Sequence, residues 1–171
     1  MNNKTRLLTA LSLIVIVASV NPAFAGTTTT NLSVTAIVGA TCNISTSALS
    51  FGSYDPLAAN VTAPLNGTGS VGTTCSNGLT NTLTLDQGLN GATGSSDAVP
   101  LRQLRSSGNV ISYFLYSNSA RTTVFGNTTG TGVGQTGTGQ SATATVYGQV
   151  PAGQNAAPGS YADTVVATVT F

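Results

Sequence analysis

Beyond the first 25 positions, the chain contains no lysine, glutamate, histidine, tryptophan or methionine. Its charges there are Arg102, Arg105 and Arg121 against Asp55, Asp86, Asp97 and Asp163, a net charge of −1. So neutral a surface has no electrostatic footprint for nucleic acid or for acidic lipid. The missing residue types also argue against catalysis. Without His, Lys, Glu or a free thiol, proton transfer would fall to four Asp and five Tyr. A serine nucleophile would lack its usual base, and no two Asp lie close in sequence. We therefore expect no enzyme, no metal and no small-molecule cofactor. No segment after the N-terminal one is long and apolar enough to span a bilayer.

The N-terminal 25 residues read as a secretory signal peptide. Lys4 and Arg6 precede an apolar stretch over 7–20, and Ala23-Phe24-Ala25 forms a small-x-small cleavage site, so that the mature chain begins at Gly26. Export leads to an oxidising compartment, and the two cysteines, Cys42 and Cys75, then have one possible pairing.

No stretch keeps a helical period. Short alternating runs rich in Thr and aliphatics, separated by Gly, Asn and Ser clusters, predict an all-β sandwich or barrel. Strands are expected at 31–38, 42–45, 48–51, 69–75, 80–85, 100–104, 110–116, 141–150 and 161–171, with 110–116 central. Asn77-Gly78 reads as a hairpin turn between its flanking strands. Residues 126–139 read as a mobile Gly/Thr loop. Gly132-Val-Gly134-Gln-Thr-Gly137 inside it fits a dinucleotide pattern but lacks the strand and helix that pattern requires. The three arginines are expected on the surface or at sheet edges.

The two terminal runs have apolar faces of period two. In 161–171 one face is Tyr161, Val165, Ala167, Val169 and Phe171, broken by Asp163, which is expected near the rim. In 31–38 it is Leu32, Val34, Ala36 and Val38, with Ile37 spoiling the opposite face.

Five stretches resemble one family. They are Ala40-Thr-Cys42-Asn-Ile44, Leu49-Ser-Phe51-Gly52-Ser-Tyr54, Val71-Gly-Thr-Thr-Cys75, Tyr113-Phe-Leu115-Tyr116, and Tyr147-Gly-Gln-Val-Pro-Ala-Gly-Gln154 with Gly159-Ser-Tyr161-Ala-Asp163-Thr164-Val165. Together they resemble the spore coat protein U domain family, which includes the major subunits of archaic chaperone–usher pili. Two positions depart from its pattern. Phe125-Gly126 stands where Trp-Gly is common, and Asn118 stands where Asp often follows the Leu-Tyr pair. Phe fills a similar apolar site, and Asn keeps the turn chemistry.

The resemblance implies an immunoglobulin-like antiparallel β-sandwich, incomplete by one strand and completed by a donor strand from a neighbouring subunit. Residues 26–39 would be the donor-strand extension, with donor face Leu32, Val34, Ala36 and Val38. Residues 40–171 would be the pilin domain, with Tyr161, Val165, Ala167, Val169 and Phe171 lining the acceptor groove. Its implied partners are identical or homologous subunits, a periplasmic chaperone and an outer-membrane usher. The implied role is a secreted pilus subunit in adhesion and biofilm formation, in the stalk rather than the tip. The alternatives are a non-fimbrial coat or matrix protein of the same fold, and a self-contained carbohydrate-binding sandwich, which scattered Tyr and Phe would have to serve.

Overall fold

The computed structural model describes Ser19 and residues 21–171. Most of the signal-peptide assignment, residues 1–18 and 20, falls outside the described residues. Contacts divide the chain into two units between Ile37 and Val38. In the first, the described residues carry no regular secondary structure and are exposed. The run at 31–38, expected as a strand, is therefore not one within a single chain.

The second unit contains eight strands and, among the described residues, no helix. They are β1 (Cys42–Ser47), β2 (Leu65–Cys75), β3 (Thr80–Leu85), β4 (Arg102–Ser106), β5 (Asn109–Tyr116), β6 (Val133–Thr136), β7 (Ser141–Val150) and β8 (Ala167–Thr170). One sheet has the order β1-β2-β7-β5-β4, the other β6-β3-β8, and every pairing is antiparallel. The fold is thus an all-β, immunoglobulin-like sandwich. Its core comes from the inward positions of both sheets: Val71, Ile111, Tyr113, Leu115, Val146 and Val150 from one, Leu83 and Leu85 from the other, with Phe125 closing it.

Several elements follow from local pattern. In β5, Ile111, Tyr113 and Leu115 are buried while Val110, Ser112, Phe114 and Tyr116 are not, the two-residue alternation of a strand with one packed face. β7 obeys the same rule from Ala144 to Val150 and takes the centre of the larger sheet, with β5 beside it. Cys42 and Cys75 are cross-strand partners of β1 and β2 and form a disulfide, with S–S 2.07 Å. Asn118 accepts from Thr122 N and Thr123 N at 3.0 Å each, the turn chemistry expected of it, and Phe125 is fully buried.

Three expectations are corrected. Asn77-Gly78 does form a turn, with Gly78 at φ +78°. It joins no hairpin, however, because β2 and β3 belong to different sheets. Residues 126–139 contain β6, paired with β3 from Thr80↔Thr136 to Leu83↔Val133, so the glycine-rich pattern lies partly in a strand. Residues 48–51 form no strand.

Candidate functional site

The C-terminal run, expected as one strand over 161–171, is regular only in β8. Its alternation nevertheless runs the whole way. Tyr161, Asp163, Val165, Ala167 and Val169 are half-buried, whereas Ala162, Thr164, Val166, Thr168 and Thr170 are exposed. Phe171, placed with the inward set by parity, is 56 % exposed at the end of the chain.

One edge of this run is well bonded. Ala162 exchanges backbone hydrogen bonds with Arg105, Thr164 O accepts from Leu89 N, Val166 O accepts from Asp86 N, and β8 pairs with β3. Successive residues in an extended chain aim their peptide groups to opposite edges. Asp163 and Val165 therefore aim theirs the other way, and among the described residues nothing takes their N–H or C=O groups.

Facing that edge across the sandwich is the segment 48–51. Its backbone, too, makes no hydrogen bond among the described residues. Leu49 and Phe51 are held by packing on β2 and β7 where those strands carry glycine, at Gly67, Gly69 and Gly148. A Cβ at Gly148 would come within 2.8 Å of both residues, and one at Gly69 within 2.9 Å of Leu49. Glycine is required there because only a bare backbone admits so close an approach.

Between these two open edges runs a groove, with a cavity of about 210 Å³ toward β8 and one of about 740 Å³ toward Tyr161. Leu85, Leu115, Val146 and Val165 wall the first, and Leu65, Ile111, Val150 and Tyr161 wall the second. Leu49, Phe51, Leu104 and Asp163 border both.

Beneath the apolar walls lies a polar support that the sequence did not reveal. Asp163 is not at a solvated rim. It accepts from Tyr113 Oη at 2.7 Å, Asn90 N at 3.2 Å and Asn90 Nδ2 at 3.1 Å. Burial, reinforced by the hydrogen bond to Asp163, pushes the Tyr113 hydroxyl well above its ordinary pKa. Gly88, at φ +75°, leaves the room that the carboxylate occupies.

Arg102 was expected on the surface and is instead 1 % exposed. Its guanidinium donates to the carbonyls of Leu85, Asp86 and Phe125, fastening the end of β3 to the loop before β6. Burial pulls its pKa down. Of the other arginines, Arg105 is exposed. Arg121 stacks over the Tyr147 ring at 5.8 Å and donates to Gly148 O. At the Tyr161 end, the Gln154 side chain accepts from Ser112 N at 2.7 Å and donates to Ser112 O at 2.9 Å. These two bonds tie the turn after β7 to β5, and the Gln154 backbone N–H donates to Tyr54 Oη at 2.9 Å, which ties it also to the segment before β2.

The only hint of these contacts in the sequence was parity, since Asp163 falls on the inward face. The partners of Arg102 and Gln154 come from segments distant in the chain, which no local pattern signals.

In the other unit, and at its junction with the domain, the N-terminal apolar face has no cover. Leu32 is 86 % exposed, Val34 83 %, Val38 91 % and Ile37 97 %, and Ala36 is exposed as well. Among the described residues no three His, Cys, Asp or Glu side chains converge as a metal site would require.

The chain is similar to known proteins. The chain is 46 % identical over 159 residues to Protein U of Myxococcus xanthus, covering 88 % of this chain and 89 % of that protein. A solved structure with the same fold is the CsuC–CsuE chaperone–tip adhesion subunit pre-assembly complex from archaic chaperone–usher Csu pili of Acinetobacter baumannii. The match has a TM-score of 0.56 at 20 % identity over 78 % of this chain. It spans 40 % of the matched chain of that complex. The model of the Spore Coat Protein U domain matches residues 28–168, and the chain belongs to that family.

Proposed function

We propose that the protein is a non-enzymatic structural subunit of a surface fibre, a chaperone–usher pilus, that polymerises by donor-strand exchange. Residues 26–39 of one subunit lie in the groove of the next. The observation that carries this reading is the groove itself. Two unpaired backbone edges, 48–51 and 163–165, flank an apolar trough, and the same chain carries an exposed alternating segment that could fill it. A strand laid there would satisfy both edges and bury Leu32, Val34 and Val38, each worth roughly 1.5–3 kcal/mol.

Until that strand arrives, the groove is a liability, because an open apolar edge invites aggregation. The reading therefore calls for a periplasmic chaperone to cover the groove after export, and for an outer-membrane usher at which the neighbour replaces it. The structural relative from Csu pili is itself a complex of a chaperone with a subunit, which supports this. Adhesion and biofilm formation are the roles such a fibre would serve.

A second reading is favoured by the 46 % identity to Protein U and by the family's name. In it the same strand exchange builds a coat around the cell rather than a pilus.

The test is co-export with and without the chaperone encoded nearest the gene. A soluble one-to-one complex with the chaperone, and aggregation or degradation without it, are expected. A soluble, stable monomer without any chaperone would contradict the open-groove account. Electron microscopy of producing cells then separates thin fibres from a continuous coat.

A further inference from the structure

Asp163 is out of place in an otherwise apolar groove. The residues that share its face, Tyr161, Val165, Ala167 and Val169, are all apolar or largely so. Three donors fix its carboxylate, and it borders both cavities, so it marks the point where one compartment passes into the other. A carboxylate has about four acceptor positions, so these three bonds leave part of its capacity to water.

A strand lying alongside 161–169 presents one side chain toward the core at every second residue. A bulky aliphatic directly across from Asp163 would strip that remaining water without replacing it, which is costly for a polar group left short of partners. A small side chain would not. Of Leu32, Val34, Ala36 and Val38, Ala36 alone is small.

We infer that Ala36 of an incoming second copy sits across from Asp163, and that this pair sets the register of subunit assembly. The inference rests on the donor-strand reading and deepens it. A one-residue slip would turn Ser33, Thr35 and Ile37 toward the core. A two-residue slip would bring Val34 or Val38 onto the carboxylate. The correct register puts Leu32 and Val34 in one compartment and Val38 in the other. The distance from Leu32 to Val38, six residues or about 20 Å, equals that from Tyr161 to Ala167.

The test pairs Val165→Cys with a single cysteine at position 32, 34, 36 or 38, in the mature chain exported with its chaperone and usher. Covalent multimers are then read on heated, non-reducing gels. With Ala36 across from Asp163, position 165 meets Val34 if the strands are antiparallel and Val38 if they are parallel. Cross-links from one of 34 and 38, and none from 32 or 36, are expected, and Tyr161→Cys should then capture the other of the two, as only Ala36 across from Asp163 requires. Cross-links from 32 or 36 would overturn the register, and so would multimers that none of the four pairs captures. In a second arm, Ala36→Leu leaves the groove-bearing domain untouched and adds apolar area to the donor. Loss of the multimer ladder is expected, and a ladder of normal length would overturn the inference. If the unaltered chain itself gives no ladder on an unboiled gel, the donor-strand reading fails, independently of the register.

Discussion

Replacing Val34 by Asp tests the donor face most sharply. Val34 is 83 % exposed in the single chain, so the substitution costs the free subunit almost nothing. In a filled groove the same side chain lies among Leu85, Leu115, Val146 and Val165 on the antiparallel placement, or beside Tyr161 on the parallel one. Losing the valine forfeits roughly 1.5–3 kcal/mol of apolar burial. Placing an unpaired carboxylate there adds a desolvation cost of several kcal/mol, which protonation relieves only in part. A total of about 4–6 kcal/mol corresponds to a loss of about 10³–10⁴ in the subunit–subunit equilibrium. Ser33→Asp, on the opposite face of the same segment, is expected to assemble within a few-fold of the unaltered chain. The assay is the length distribution of multimers on unboiled gels, with the melting temperature of the chaperone-bound subunit as a check that folding is unchanged. Ladders of equal length from Val34→Asp and Ser33→Asp would refute the assignment of the donor face.

Other substitutions probe the domain that holds the groove. Arg102→Met would leave three carbonyls, those of Leu85 and Phe125 buried, without their donor and is expected to lower stability by roughly 2–5 kcal/mol, read from urea unfolding of the chaperone-bound subunit or from the yield of exported protein. Tyr113 ionises at about 10 in the unfolded chain and higher in the native one, so above pH 10 the native state holds the extra proton and stability falls as pH rises. The slope from this residue is about 1.4 kcal/mol per pH unit, absent below pH 10. Tyr113→Phe should be less stable at pH 7 yet show a shallower decline in unfolding midpoint between pH 9 and pH 11. Removing the disulfide as Cys42→Ser with Cys75→Ser reopens a crosslink between residues 33 apart in sequence. The expected cost is about 3–4 kcal/mol on chain entropy, measured by thermal unfolding against the oxidised protein.

What the sequence revealed depended on whether an element's partner was local. β3 and β7 announce themselves because Leu83 and Leu85, or Ala144, Val146 and Val150, alternate with Thr and other polar residues, whereas β5 stands out as a run apolar but for Ser112, Val110 to Tyr116. β6 does not, because Val133-Gly-Gln-Thr136 has too little side chain to show alternation and is a strand only through its pairing with β3. The segment 48–51 has strand-like composition but no ladder, since its free edge faces the groove. The run at 31–38 alternates apart from Ile37 and has no strand within its own chain, which is the pattern expected of a segment whose partner is another molecule. At the site, parity placed Tyr161, Val165, Ala167 and Val169 on the inward face. It placed Asp163 there too, but a charged residue on an apolar face reads as a rim position until Tyr113 and Asn90, far away in the chain, are seen to hold it. Arg102 misleads for the same reason. Arginine is rarely buried, and the three carbonyls that make burial tolerable are supplied by other segments.

The central claim is that each subunit completes the next with its own N-terminal segment. The most direct measurement is an unboiled SDS gel of the mature chain, exported with its chaperone and usher, beside a version lacking residues 26–39. The account predicts a ladder of multimers from the first that collapses to monomer on boiling, and monomer alone from the second. A ladder from both, or a stable monomer from both, would contradict it.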